Sequence, residues 1–219
     1  MARLVSTNNY LTVGDVAAVD LTGNMTLAAW FWPVSFPGIG VVMGKDSGGE
    51  GGCQYIVGNN GSSVYFQIGT AGSGNQFGVA GGTLSASAWN HIAATLSSVT
   101  LTTYANGSFG ASANAGFTPQ NTAEPLYIGR RSNGQYPNGY AAECAIWNVA
   151  LSAAEIASLG KGFSPQMIRP QSLVGYWPLH GNASPEPDLR NGNNGTISGS
   201  PTKNDHPRVI RPRPAIYFP

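Results

Sequence analysis

Short stretches in which apolar and polar residues alternate recur along the chain, separated by Gly, Asn and Ser. Alternate side chains of an extended strand point to opposite faces. In the stretch over residues 25–33, Trp30 and Trp32 therefore share one face, and the opposite face carries Met25, Leu27, Ala29 and Phe31. Similar stretches lie at residues 54–58, 63–69, 89–96, 99–105, 125–129, 142–149, 173–179 and 215–218. Short, closely spaced stretches rich in β-branched and aromatic residues predict an all-β sandwich or barrel.

Two local signals interrupt this pattern. Asn106-Gly107 favours the positive φ angles of a tight type I′ hairpin turn. Ser152 followed by Glu155 forms a capping-box signature and predicts one short helix. We expect Gly160 to end that helix in a left-handed conformation.

The composition limits the classes of function. The 219 residues carry a net charge of +1 and only 10% charged side chains, which argues against a nucleic-acid partner held by its phosphates. A hydrophobic content of 42% suffices for one large core, and no apolar run reaches the roughly 18 residues of a membrane helix. Cys53 and Cys144 are expected to be buried thiols, although they could pair, and no Cys/His spacing typical of zinc sites occurs.

The sequence changes character after Gly160. Residues 161–219 are punctuated by Pro, and the last twelve residues contain three Arg and no acid. Such a tail is either an extended segment along the surface or an arm that contacts a neighbouring subunit. In the second interpretation, the residues in contact with a subunit or particle are Arg208, Arg211, Arg213 and Tyr217.

Six segments in the same order resemble the laminin-G-like branch of the concanavalin A-like jelly rolls. They lie at residues 25–33, 41–49, 88–96, 101–110, 125–131 and 146–159. The resemblance implies a jelly-roll β-sandwich of two antiparallel sheets with one short helix, and a laminin-G-like core over residues 1–160.

A further segment, residues 173–199, resembles the one that usually opens such a domain, but here it comes last. We expect residues 161–219 to complete the same sandwich in permuted order, with Phe218 near the first strand, before ending in an extended arm. The alternative is that residues 165–219 form a separate arm. Chain termini that lie close together would make a permuted order physically tolerable.

The same fold houses β-glucanases, so catalysis has to be considered. Retaining glycoside hydrolysis needs two carboxyl groups about 5–5.5 Å apart. Glu143 is the only acid on a predicted core strand, and Ala145 and Trp147 occupy the positions where a partner carboxyl would stand. No Gly-x-Ser-x-Gly elbow for a serine nucleophile occurs. We therefore expect that the protein is not an enzyme.

The three histidines add little to that expectation. His91 is expected to be a satisfied sheet residue, while His180 and His206 lie in loops near Asp188 and Asp205. None of the three lies in a recognisable motif that also supplies the serine and the acid of a hydrolytic triad.

No cofactor is expected to be required, and structural calcium is the one metal considered. Asp188, Asn191 and Asn193 offer oxygen ligands in a loop opened by glycine, and relatives often hold Ca²⁺ in such loops. The alternative is a loop stabilised by Asx turns without metal. Asp46 and Glu50 form a weaker candidate pair.

The resemblance also implies sugar binding, in which exposed aromatic rings stack on the sugar and polar side chains bond its hydroxyl groups. The candidate glycan-binding residues are Arg130, Arg131, Asn133, Tyr136 and Tyr140, in a long polar loop and at its end. The alternative is an inter-strand loop whose tyrosines cover the edge of the sandwich.

These observations predict a non-catalytic structural or binding module. The N-terminal residues contain no secretory signal. Our expectation is therefore a virion surface component, either a capsid decoration or a tail-associated protein, made in the host cytoplasm. Its expected partners are viral capsid or tail proteins, further copies of the chain and glycans, but neither nucleic acid nor membrane. The alternative is a bacterial extracellular carbohydrate-binding module cloned without its leader.

Overall fold

The computed structural model describes residues 2–36, 38–46, 48, 52–70, 74–132, 134–180 and 184–212. Within these ranges lie fifteen strands and one α-helix, α1 (Ala153–Gly160). The strands are β1 (Ala2–Val5), β2 (Tyr10–Gly14), β3 (Met25–Pro33), β4 (Ile39–Asp46), β5 (Cys53–Asn60), β6 (Ser63–Gly69), β7 (Gln76–Thr83), β8 (Asn90–Ser97), β9 (Thr100–Ala105), β10 (Ser108–Asn114), β11 (Leu126–Ile128), β12 (Gly139–Trp147), β13 (Leu173–Trp177), β14 (Thr196–Ser198) and β15 (Lys203–Asn204). None of the helices in the described ranges has the length and apolar character that a membrane crossing requires.

The strands form two sheets in which the strand pairs are antiparallel. The front sheet has the order β14-β2-β11-β4-β5-β6-β7. The back sheet has the order β10-β9-β8-β3-β12-β1-β15, and β13 also pairs with β12. The predicted all-β sandwich of two antiparallel sheets with one short helix is confirmed.

The core lies between the two sheets and follows the alternation read from the sequence. In β3 the buried core residues are Met25, Leu27, Ala29 and Phe31. Trp30 and Trp32 are half-buried on the outer face of the back sheet, as predicted. Cys144 lies in this core and Cys53 on the outer face of the front sheet, and both are buried free thiols.

The hairpin and the helix start are confirmed, whereas the left-handed conformation predicted for Gly160 at the helix end is wrong. Asn106 and Gly107 both have positive φ, +52° and +79°, between β9 and β10. Both hydrogen bonds of the Ser152–Glu155 capping box are present. Gly160, however, ends α1 without a left-handed conformation. A Cβ there would lie 2.6 Å from the Gly107 nitrogen, so Gly160 permits a close approach of α1 to the hairpin turn.

Residues beyond 160 contribute strands to both sheets. β13 pairs with β12, β14 with β2, and β15 with β1. Residues 205–212 then cross the outer side of the back sheet, where the Trp89 indole donates to the Asp205 carbonyl at 3.1 Å and Ile210 bridges to Phe163. Arg208 is exposed on this segment. Arg213, Tyr217 and Phe218 lie outside the described residues, and the permuted order remains a prediction.

Candidate functional site

Three tyrosines and one arginine meet on the outer face of the front sheet. Tyr10 on β2 and Tyr127 on β11 point outward because their strand neighbours, such as Leu11 and Ile128, fill the core. The two rings meet edge to face, with centroids 6.2 Å apart. The Arg130 guanidinium carbon lies 4.4 Å from the centroid of the Tyr10 ring, 5.0 Å from that of Tyr127 and 5.9 Å from that of Tyr136. We call these four residues the tyrosine–arginine cluster.

The loop after β11 holds Arg130 in place. Its Nε donates to the Arg131 carbonyl at 3.2 Å, and its Nη2 donates to the Ser132 carbonyl at 2.7 Å. No carboxylate in the described ranges lies within 4 Å of this guanidinium. Arg130 is half-exposed, so a positive charge with unused donor capacity faces solvent above the tyrosine rings.

A cleft of about 520 Å³ opens beside Tyr136. Its lining residues supply hydroxyl, amide, aromatic and aliphatic groups, and they are Ser6, Thr7, Ile39, Gly134, Gln135, Tyr136 and Asn138. The loop reaches this position because Gly40 leaves room for it: a Cβ on Gly40 would lie 2.8 Å from the Pro137 Cα. The cleft can therefore offer hydrogen bonds and a ring face to the same ligand.

The other predicted glycan-binding residues do not join this cluster. Arg131 is buried, and its Nη2 pairs with Asp46 at 2.7 Å while its Nη1 donates to Gln135 at 2.9 Å. Tyr140 lies on β12 of the back sheet, in register with Trp32. Asn133 lies outside the described residues. Of the five predicted positions, the structure thus brings Arg130 and Tyr136 together.

In the predicted calcium loop, backbone N–H groups already occupy the carboxylate oxygens of Asp188. Asp188 is buried, and its two carboxylate oxygens accept backbone N–H groups of Tyr176, Arg190, Asn191 and Asn193 at 2.9–3.2 Å. These bonds tie the loop to β13 in the manner of Asx turns.

Two further hydrogen bonds also tie this loop to β13. The Asn191 amide donates to the Val174 carbonyl at 3.0 Å, and the Asn193 carbonyl accepts from the Trp177 indole at 3.0 Å. In the weaker candidate pair, Asp46 is engaged with Arg131, and the side chain of Glu50 lies outside the described residues. Calcium binding remains a prediction.

A second polar cluster lies on the back sheet around Glu143. Glu143 sits at a bulge in β12 with a φ of +54°, and its carboxylate is buried. Its Oε2 accepts from the Tyr176 hydroxyl at 2.5 Å. Its Oε1 lies 2.9 Å from Arg211 Nη2, 3.2 Å from His206 Nε2 and 3.7 Å from His180 Nε2. We call these five residues the Glu143 cluster.

The surroundings fix the charges in the Glu143 cluster. Burial alone would raise the pKa of Glu143, but hydrogen bonds from His206 and Tyr176 and the charge of Arg211 lower it below its usual value. Burial and the electrostatic influence of His206 and Arg211 lower the pKa of His180 to about 4. Burial and the Glu143 carboxylate raise the pKa of Tyr176. At neutral pH, Glu143 is therefore a carboxylate, His180 is uncharged and Tyr176 is a hydrogen-bond donor.

Sequence reasoning missed Tyr10, Tyr127 and Tyr176. It considered Glu143, His180, His206 and Arg211 separately and did not bring them together. A signal for Tyr10 and Tyr127 exists, because each alternates with apolar core residues and therefore has to face outward. The members of the Glu143 cluster come from positions between 143 and 211, and only the fold brings them together.

The two antiparallel sheets, packed on a common core, define a jelly-roll sandwich of the concanavalin A type. The family model described as the concanavalin A-like lectin/glucanases superfamily matches residues 5–157, and the chain belongs to this family. A comparison with curated protein sequences found no significant match.

Several solved structures with similar folds are named as carbohydrate-binding proteins or contain a bound oligosaccharide. A proposed carbohydrate-binding protein from Bacteroides ovatus has 21% identity and a TM-score of 0.69, with 92% of this chain and 58% of that chain covered. The CBM40 domain of the Ruminococcus gnavus IT-sialidase, bound to α2,3-sialyllactose, has 15% identity and a TM-score of 0.61, covering 73% and 96%. Domain 4 of the arabinanase AbnA from Geobacillus stearothermophilus, in complex with arabinotriose, has 13% identity and a TM-score of 0.56, covering 73% and 76%.

Proposed function

We propose that this chain is a non-catalytic carbohydrate-binding module whose ligand lies on the tyrosine–arginine cluster and in the adjoining cleft. The observation that carries this proposal is the Arg130 guanidinium, fixed by two backbone carbonyls above tyrosine rings beside an open cleft of about 520 Å³. A sugar presents apolar C–H faces, which stack on aromatic rings, and hydroxyl groups, which accept from guanidinium and amide donors.

The family and the similar structures support the same function. Three similar folds are named for carbohydrate binding or were solved with an oligosaccharide. The extracellular carbohydrate-binding alternative therefore has more support than the virion component, which remains a prediction. Quantitative mass spectrometry of purified particles would test the virion role through the copy number of this chain.

The environment of Glu143 supports a role without glycoside hydrolysis. That reaction in its usual form requires an acid and a second carboxylate. The groups that surround the Glu143 carboxylate are instead a phenol, two imidazoles and a guanidinium. We infer that this residue does not act as one half of a catalytic carboxyl pair.

The test is glycan-array binding followed by calorimetry with the best ligand. We expect Tyr10→Ala and Tyr136→Ala each to lower affinity by about tenfold, equivalent to about 1.4 kcal/mol. Tyr140→Ala is the matched control, because it removes the same side chain from the other sheet. Circular dichroism would establish that all three variants are folded.

Two results would overturn the proposal. One is the absence of binding to every glycan on the array. The other is a loss of affinity in Tyr140→Ala with no loss in Tyr10→Ala or Tyr136→Ala, which would move the site to the back sheet.

A further inference from the structure

Three side chains of the Glu143 cluster direct ligand-type atoms at one another. Glu143 Oε1, His180 Nε2 and His206 Nε2 all lie within 4.8 Å of each other. Ligands about 2.0–2.1 Å from a tetrahedral zinc ion lie about 3.3 Å apart. The observed separations from Glu143 Oε1 are 3.2 Å to His206 and 3.7 Å to His180, so small side-chain movements suffice to share one ion.

The neighbours of His206 orient its Nε2 for such a role. Its Nδ1 lies 2.8 Å from the Pro207 carbonyl oxygen, which can only accept a hydrogen bond and therefore places a proton on Nδ1. The Nε2 atom faces two further oxygens, Glu143 Oε1 at 3.2 Å and the Pro178 carbonyl at 3.3 Å. Two oxygens therefore lie on the side of the ring on which a cation bound at Nε2 would sit.

The carboxylate of Glu143 is oriented as well. Tyr176 donates to Oε2 at 2.5 Å and thereby leaves Oε1 directed toward the two imidazoles. Hydrogen bonds to the outer atoms of metal-binding His and Glu side chains are the usual means by which proteins orient such ligands. Tyr176 and the Pro207 carbonyl are placed to do this here.

A cationic side chain now occupies the position between the ligands. Arg211 Nη2 lies 2.9 Å from Glu143 Oε1 and also contacts His180 Nε2. The arginine side chain is 39% exposed and the His180 side chain 43% exposed, so both can move and the cluster is reachable from solvent. Arg211 shows that these ligands accept a positive charge at this place.

We propose that Glu143, His180 and His206 form a binding site for a divalent transition-metal ion, which the ion and the Arg211 guanidinium occupy alternately. Two imidazoles and one carboxylate suit Zn²⁺, whereas Ca²⁺ favours six or more oxygens. Three protein ligands leave at least one coordination position for water. This site is separate from the proposed sugar site on the front sheet.

The test is zinc binding by calorimetry to the full chain, prepared without a histidine tag and freed of metal. We expect one Zn²⁺ per chain and a loss of that binding in His180→Ala, whose exposed side chain can be removed without disturbing the core. Arg211→Ala gives the decisive result: removing a competing positive charge tightens zinc binding by about tenfold. If Arg211 and Glu143 formed only a structural ion pair, Arg211→Ala would instead lower the stability of the fold and would not bind zinc.

A second measurement identifies the ligands directly. Cobalt(II) bound to Arg211→Ala should show the visible absorption of a four-coordinate ion, and His206→Gln should abolish it. The proposal is overturned if Arg211→Ala binds no zinc, if its affinity is not raised above that of the wild type, or if His180→Ala binds zinc as tightly as the wild type. The last result would place the ion elsewhere on the chain.

Discussion

The outer faces of the two sheets use arginine in opposite ways. On the front sheet, Arg130 rests on tyrosine rings and backbone carbonyls, without a carboxylate within 4 Å among the described residues. On the back sheet, Arg211 is paired with the buried Glu143 carboxylate. The first arrangement leaves a fixed charge for an outside ligand, whereas the second neutralises the charge within the protein. Exposure alone therefore does not distinguish the two arginines. They differ in the groups that surround the charge, which are tyrosine rings and backbone carbonyls for Arg130 and a carboxylate for Arg211.

The front loop contains the same contrast within two adjacent residues. Arg130 faces solvent, while Arg131 is buried against Asp46. Arg131→Ala should destabilise the fold by about 3–5 kcal/mol, because it leaves a buried carboxylate without its partner. Urea unfolding measures this loss. The double variant Asp46→Ala with Arg131→Ala should recover part of the lost stability. A loss below about 1 kcal/mol in Arg131→Ala alone would contradict the internal role of Arg131.

The next prediction concerns Asp188, whose carboxylate also bonds to groups within the protein. Asp188→Ala should cost about 2–4 kcal/mol, because four backbone N–H groups lose their acceptor. Asp188→Asn retains one oxygen and should lose less in urea unfolding. Equal stability of wild type and Asp188→Ala would contradict the role of this carboxylate. A calcium-dependent rise in Tm that Asp188→Asn lacks would support the predicted calcium site.

Local signals predicted much of the fold, because they depend on neighbouring residues. The alternation in β3, the Asn106 turn and the Ser152 cap all act over a few residues and are present as expected. Gly160 was misinterpreted because its smallness serves a contact with Gly107, more than fifty positions away in the sequence. Sequence proximity cannot reveal such a contact.

The candidate sites also differ in how far neighbouring residues in the sequence reveal them. The polar loop around Arg130 and Tyr136 is recognisable because it is continuous in sequence. The different roles of Arg130 and Arg131 are not, since the Asp46 partner comes from β4. The Glu143 cluster could not be predicted, because separated segments supply its histidines and Arg211.

The back sheet also contains a buried histidine, and its titration sets an expected pH dependence. His91 packs edge to face against Trp30, and burial lowers its pKa to about 3. Below the unfolded-state pKa of about 6.5, the unfolded chain binds a proton that the folded chain excludes, so stability falls as the pH falls toward 3. This residue should account for about 2 kcal/mol of lost stability between pH 7 and pH 5.

Urea unfolding of His91→Phe at several pH values isolates this contribution. The variant should lose less stability than the wild type over the same pH interval, whatever its absolute stability. His180 titrates in the same direction but is retained in both proteins, so its effect cancels. Identical pH slopes for the two proteins would contradict the burial of an uncharged His91.

The smallest expected effect on stability belongs to Arg130. Its contacts with Tyr10 and Tyr127 are half-exposed cation–π contacts, each worth about 0.5–1 kcal/mol. Arg130→Ala should therefore destabilise the fold by about 1 kcal/mol. If the proposed sugar site is correct, the same variant should lose most of its sugar binding. Arg130→Lys keeps the charge but loses the planar donors, so it should retain stability and recover little affinity. Urea unfolding and calorimetry on the same samples separate the two effects. A loss of stability as large as that of Arg131→Ala would show that both arginines support the fold, and the distinction between the two outer faces would fail.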